Sequence, residues 1–186
     1  QKSINEISNL TYGILRGILK SDFDQANQLI NSKISENENC QNFKWYCNYN
    51  LTENTKRKNI LCRLIALLYE INKQGKVEDG LMNEILWGKV DVEHIQSYND
   101  ENKEEREQIK SDWGDELNGH GNLVILERTK NRSISNKPFE EKLKTYKTSQ
   151  FKIISEDIAG YQTWNLKMAK ERREKVYQKL HNFFFS

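Results

Sequence analysis

The 186-residue sequence is poor in the residues that stiffen or staple a chain, with one proline and three cysteines. Cys40, Cys47 and Cys62 are odd in number and lack Cys-x-x-Cys spacing. That argues against a disulfide framework and a zinc ribbon, and fits a reducing cytoplasm. No apolar run approaches the roughly 18–20 residues needed to cross a bilayer. The N-terminal stretch is an interrupted amphipathic pattern, not a secretory signal. A Gly-rich phosphate loop, an internal repeat and a Gly/Ser linker are all missing. An excess of one charge is missing too: 29 basic against 27 acidic residues leave +2. Taken whole, that balance does not announce a nucleic-acid binder. Aromatics at 10% make wholesale disorder a poor description. The length fits one ordinary domain, or a small one with a helical extension, able to bury a core without staples. The chain starts at Gln1, so a trimmed domain or a fragment of a longer protein is expected.

Most of the chain reads as helix. Apolar residues recur at three- and four-residue steps over 4–30, again over 56–73 and briefly over 79–87. Residues 31–55 read as a loop plus a short element around the aromatic knot Phe43-Lys44-Trp45-Tyr46. After Gly88 the period changes: Val90 and Val92 alternate with Asp91 and Glu93, a short strand signal. The acidic stretch 99–110 reads as solvated helix or loop. Asn122 to Leu126 is the best strand candidate. Residues 129–148 return to helix, with Asn136 as the expected N-cap ahead of Pro138. A long helix from Ser155 to Phe185, striped by Trp164, Met168, Val176, Leu180 and Phe183, is expected to close the chain. The expectation is therefore an α+β, mostly helical fold around one two-stranded unit. Such a unit is only marginally stable alone, so helices must pack on it.

Chemistry-bearing residues collect at that unit. Of three histidines, His94 directly follows Glu93 at the end of the first strand. Asn122 opens the second strand and Asn131 lies just past it. Glu93 offers a divalent cation a hard oxygen ligand, and Asn131 a neutral carbonyl. A histidine with pKa near ~6.5 can take a proton from water at neutral pH. A metal beside it can polarise a phosphoryl oxygen, a combination suited to phosphodiester hydrolysis. Neighbouring strand residues face opposite ways, so a loop or bulge must bring Glu93 and His94 to one site. Alone, a Glu–His pair is an ordinary polar strand end.

The ordered set says more. Val92-Glu93-His94-Ile95 is followed by Gly121-Asn122-Leu123-Val124-Ile125-Leu126. Next come Asn131-Arg132-Ser133-Ile134-Ser135-Asn136-Lys137-Pro138-Phe139-Glu140-Glu141-Lys142, then Tyr146 and Ser149. This resembles the C-terminal HNH nuclease domain of the GmrSD family, found in modification-dependent (type IV) restriction enzymes and related phage-defence proteins. The match is strong over about 88–180, where Trp164 and the basic helix resemble the family's closing segment. The resemblance implies a ββα-metal (HNH, His-Me finger) core embedded among helices. It divides the chain into a helical region 1–87 packing on the nuclease core, the core at 88–150, and a C-terminal basic helix at 151–186. His94 takes the role of general base, and Asn122 that of the brace that orients it. Glu93 and Asn131 take the metal. An oxygen-rich pair of that kind favours Mg²⁺ or Mn²⁺ over zinc. The family's His-Ile-Leu-Pro is His94-Ile95-Gln96-Ser97 here, which leaves the turn less stiff. His120, beside the Gly-Asn-Leu motif, is an additional candidate for a phosphate contact or a ligand.

Resolved along the chain, the charge is segregated. Window 127–152 carries +5 and window 167–179 carries +4, leaving −7 elsewhere. Arg128, Lys130, Arg132, Lys137 and Lys142 flank Asn131 and are the expected contacts to DNA phosphates. The expected activity is metal-dependent endonucleolytic hydrolysis of DNA in a restriction or anti-phage protein. A nucleotide-hydrolysing sensor domain or subunit would lie outside this chain, and no membrane partner is expected. Two alternatives stand beside it: an HNH nuclease acting on RNA, and a catalytically silent helical scaffold or DNA-binding domain.

Overall fold

In this computed structural model, residues 24, 28, 32, 55–75, 77–98 and 102–185 are described. Apart from Asp24, Gln28 and Ser32, the expected helix 4–30 and the loop with Cys40, Cys47 and the aromatic knot lie outside them. The chain divides into two compact units, Gln1–Tyr46 with His181–Ser186, and Cys47–Leu180. All that follows lies in the second unit, except the last residues of the closing helix, His181–Phe185, which belong to the first.

Its described elements are mostly helical around one two-stranded antiparallel sheet. Helix α1 (Thr55–Gln74) and helix α2 (Asp79–Trp87) lead into strand β1 (Val90–His94). Helix α3 (Lys103–Trp113) and a 3-10 turn (Gly114–Asn118) form the excursion between the strands. Strand β2 (Leu123–Glu127) runs directly into helix α4 (Arg128–Ile134), then helix α5 (Phe139–Tyr146). After short irregular turns over 153–160, helix α6 (Leu166–Phe185) closes the chain.

The sheet is the centre of the core. Register runs unbroken from Val90↔Glu127 to His94↔Leu123. Leu123, Val124, Ile125 and Leu126 are all essentially unexposed, so β2 is covered on both faces. That answers the marginal stability of an isolated strand pair. Helix α1 packs on β2 and contributes the buried Cys62, Ile65, Ala66, Leu68 and Tyr69. Cys62 is a free thiol that burial pushes up to about 12, so it stays protonated. Helix α3 buries nothing. It is held by local terms: the Asn102 side chain caps the amides of Glu104 and Glu105 at 3.1 and 3.2 Å.

Three expectations are corrected. The helical stretch 129–148 breaks into α4 and α5, because Ser135 takes a positive φ of 44°. The following Pro138, not Asn136, sits at the N-cap of α5, and no side chain caps that end. The closing helix begins at Leu166, not near Ser155. Trp164 precedes it, and the buried positions on α6 are Ala169, Arg172, Val176 and Leu180, while Phe183 is exposed. An arginine therefore occupies a core position of what reads as a basic surface helix. Its Nη1 donates to the carbonyls of His120 and Gly121 at 2.8 Å and of Leu123 at 3.2 Å. Three carbonyls entering β2 gain a donor that the sheet does not supply.

Helix α6 reaches those carbonyls only because residue 121 has no side chain. A Cβ on Gly121 would overlap the Ala169 carbonyl oxygen and lie 3.0 Å from its carbon. Backbone, not a flexible side chain, occupies the space. Gly121→Ala is therefore expected to destabilise by about 1–3 kcal/mol, the usual scale of overpacking. Urea denaturation measures it, and an unchanged midpoint would show that α6 shifts freely.

Candidate active site

The turn after β1 is gripped from two sides. On one side is Asn122, fully buried at the head of β2. Its Oδ1 accepts from the Gln96 amide at 2.8 Å and from Trp164 Nε1 at 3.0 Å. Its Nδ2 donates to the carbonyls of Gln96 at 3.0 Å and Leu117 at 2.9 Å. Both donors and both lone-pair positions are used, so the amide has nothing left for a substrate. Asn122 ties together the turn, the 3-10 segment and the residues ahead of α6. Trp164 is in turn seated against Phe139 at 6.0 Å and edge-on to Tyr161 at 5.0 Å.

On the other side is Lys142 of α5, also fully buried. Its ammonium donates to Glu93 Oε1 at 2.6 Å, to the His94 carbonyl at 2.7 Å and to Ser97 Oγ. Tyr146, one helical turn on, donates to the same Glu93 oxygen at 2.6 Å. Burial pushes the Glu93 carboxyl up and the Lys142 ammonium down, and their mutual attraction opposes both shifts. Burial, then the Glu93 charge, holds the Tyr146 phenol well above its ordinary value, so it stays a donor. Lys142 was expected on a DNA-facing surface. Enclosed among these oxygens, it reaches no phosphate.

His94 points away from this network. Its Nε2 lies 3.1 Å from Asn118 Oδ1, and its ring meets Tyr98 edge-on at 5.4 Å. Burial, and after it the charges of Lys58 and Lys142, lower the imidazole to about 4 against the opposing hydrogen bond to Asn118. The ring is therefore neutral at neutral pH, the form a general base requires.

The divergence of Glu93 and His94 follows from the sheet. Pairing continues in register through His94↔Leu123, so no bulge turns Glu93 towards the histidine. Its Oε1 already holds an ammonium and a phenol. Among the described residues no three His, Cys, Asp or Glu side chains gather in a metal-holding group. The residues as arranged do not fit a divalent cation held between Glu93 and Asn131. Asn131 itself lies half-buried on α4, the helix that follows β2 without a linker.

The remaining candidates divide. Arg128 pairs with Asp91 at 3.0 Å, and Lys130 with Glu127 and the Thr148 carbonyl at 2.6 Å each. Arg132 and Lys137 are exposed. His120 is sealed in the core, with Nε2 3.3 Å from the Arg173 carbonyl and Nδ1 unpaired. That position suits neither a phosphate contact nor a ligand. Sequence reasoning missed Asn118, Tyr98 and Lys58, which surround His94. Nothing in the acidic stretch or in α1 marks them, since they lie 24, 4 and 36 residues from it along the chain.

Two outcomes follow from the buried groups. Removing one member of a buried ion pair typically costs about 3–5 kcal/mol. Glu93→Ala is expected to lose that much, and Glu93→Gln with Lys142→Met to regain most of it. Urea denaturation of both chains checks this, and a Glu93→Ala chain of unaltered stability would contradict it. His120 is lowered by burial to about 4, so the unfolded chain binds more protons than the folded one between about 6.5 and 4. Its contribution is full above 6.5 and is lost as pH falls through that window. His120→Gln should make the acid side of the stability curve shallower by up to one proton. An identical slope would contradict the sealed placement.

No curated protein and no solved structure matches the chain. A family model described as GmrSD restriction endonucleases, C-terminal domain, matches residues 34–179. That span holds both strands, both grips on the turn and most of α6. The chain belongs to the GmrSD restriction endonuclease family, as its C-terminal domain.

Proposed function

We propose that this chain is a DNA-cleaving HNH domain in which His94 is the general base. Family membership points to the nuclease part of a restriction system. The observation that carries the finer reading is the placement of His94: an imidazole at a strand end, held to Asn118 and beside a turn braced by two buried polar side chains. The succession β1, excursion, β2 and α4 has the order of a ββα unit, with Asn131 on its helix.

In the proposed reaction a water oxygen attacks phosphorus, the bond to the leaving oxygen breaks, and His94 takes the water's proton. The braces supply positioning, since an imidazole displaced by an ångström loses much of its effect. Asn122 and Lys142 act through the turn and touch no reacting atom. Exposed Arg132, Lys137, Lys144 and Lys147 are the basic side chains of residues 127–152 that remain to meet the DNA backbone. Glu93 is assigned to the Lys142 ammonium, and no step here runs through a metal ion.

A positioned general base contributes about 10²–10⁴-fold. His94→Ala is therefore expected to lower cleavage of plasmid DNA at least about 100-fold while the far-ultraviolet spectrum stays that of the wild type. The assay is run with and without Mg²⁺ or Mn²⁺, on DNA and on RNA. Wild-type rates from a folded His94→Ala chain would refute the proposal, and cleavage of RNA alone would move it to the other substrate.

A further inference from the structure

We propose that Asn118 is the positioning residue of His94, fixing the tautomer with hydrogen on Nε2 and leaving Nδ1 as the atom that receives the proton. The catalytic half of this inference rests on the nuclease reading; the tautomer does not.

The assignment comes from hydrogen-bond bookkeeping. Lys58 Nζ, from α1, lies 3.0 Å from Asn118 Oδ1. An ammonium carries only donors, so the amide atom facing it must be the oxygen. The opposite flip would set an NH₂ against an NH₃⁺. Asn118 Nδ2 then faces Tyr98 Oη at 2.5 Å and donates to it. The amide is thus fixed at both ends by groups other than the histidine. His94 Nε2 lies 3.1 Å from that same Oδ1. An amide oxygen only accepts, so Nε2 must carry the hydrogen. A neutral imidazole has one N–H, so Nδ1 is left with a bare lone pair.

The surroundings of the two ring nitrogens agree. Asn118 is itself buried, at the end of the 3-10 turn, and the Leu117 carbonyl beside it is held by Asn122. Among the described residues Nδ1 has no hydrogen-bond partner, yet it is not among the sealed unpaired atoms, as His120 Nδ1 is. The acidic excursion between the strands gains a purpose, since it delivers Asn118 to the histidine. Helix α1 contributes Lys58, so a residue from the segment before position 88 takes part in setting the base.

Nitrogen-15 NMR of the histidine rings in the uniformly labelled full chain tests this directly. The His94 signals are identified by their loss in His94→Ala. The expected wild-type spectrum shows a protonated, pyrrole-type Nε2 and a pyridine-type Nδ1 for His94 at neutral pH. Asn118→Leu should erode that preference and lower kcat by up to about 100-fold with KM for DNA little changed. Asn118→Asp, which still accepts from Nε2, should retain the tautomer. A wild-type His94 protonated on Nδ1 overturns the proposal, as does a folded Asn118→Leu chain with the wild-type tautomer and kcat. The wild-type spectrum decides even where Asn118→Leu fails to fold. Unimpaired cleavage by His94→Ala together with the Nε2–H spectrum would sink the nuclease reading and the catalytic half, leaving the tautomer assignment standing.

Discussion

The ammonium of Lys142 is the constraint around which the described unit is arranged. An unpaired charge in a protein interior is among the most unfavourable groups a fold can hold. This one is tolerated because Glu93 supplies the countercharge and the His94 carbonyl and Ser97 hydroxyl complete its shell. Each partner comes from the strand end or the turn after it. The ion pair therefore does more than join α5 to β1, because it dictates where the turn must lie for the lysine to be satisfied. The imidazole of His94 leaves the backbone at that point, and its direction is inherited from the carbonyl that Lys142 holds.

Arg172 repeats the device on the other strand. A cation counted in a basic window turns inward and satisfies carbonyls at the entry to β2. The +9 of the two basic windows therefore overstates the charge available to a polyanion. Lys142 and Arg172 are structural, while Arg128 and Lys130 are tied to neighbouring carboxylates. Surface pairs of that kind are weak and open to exchange for a phosphate, whereas a buried pair is not. Under the proposed function, the attraction to DNA would fall to the side chains that remain outside, Arg132 and Lys137 among them.

What could be read from the sequence was local. Alternation from Val90 to Glu93 and the apolar run Leu123–Leu126 located both strands, and periodicity located α1 and α2. The α+β class with a small antiparallel sheet follows from those alone. Failures arose where a distant partner overrode the local pattern. Trp164 has helical spacing to Met168, but its indole nitrogen is bound to Asn122, 42 residues away, and the chain stays outside the helix to reach it. Lys142 resembles every other lysine in its window. Its burial depends on Glu93, 49 residues earlier. The four groups that Asn122 holds come from three separate segments, which no local pattern shows.

The metal expectation shows how a strand's geometry limits what adjacent motif letters can do. Glu93 and His94 are neighbours, and adjacency suggests a shared task. In a regular strand adjacency means the reverse, because successive side chains are sent to opposite faces. The pairing of β1 with β2 holds its register to the last residue, so Glu93 meets α5 and His94 meets the 3-10 turn. Two adjacent letters thereby perform separate work. The Glu93 carboxylate neutralises the cation that holds the turn, and His94 stands at the turn so held. Asp91, two residues before Glu93, belongs to the same face and spends its charge on Arg128 at the start of α4. The acidic side of β1 is thus given over to fastening the helices that follow β2, while His94 faces the 3-10 turn.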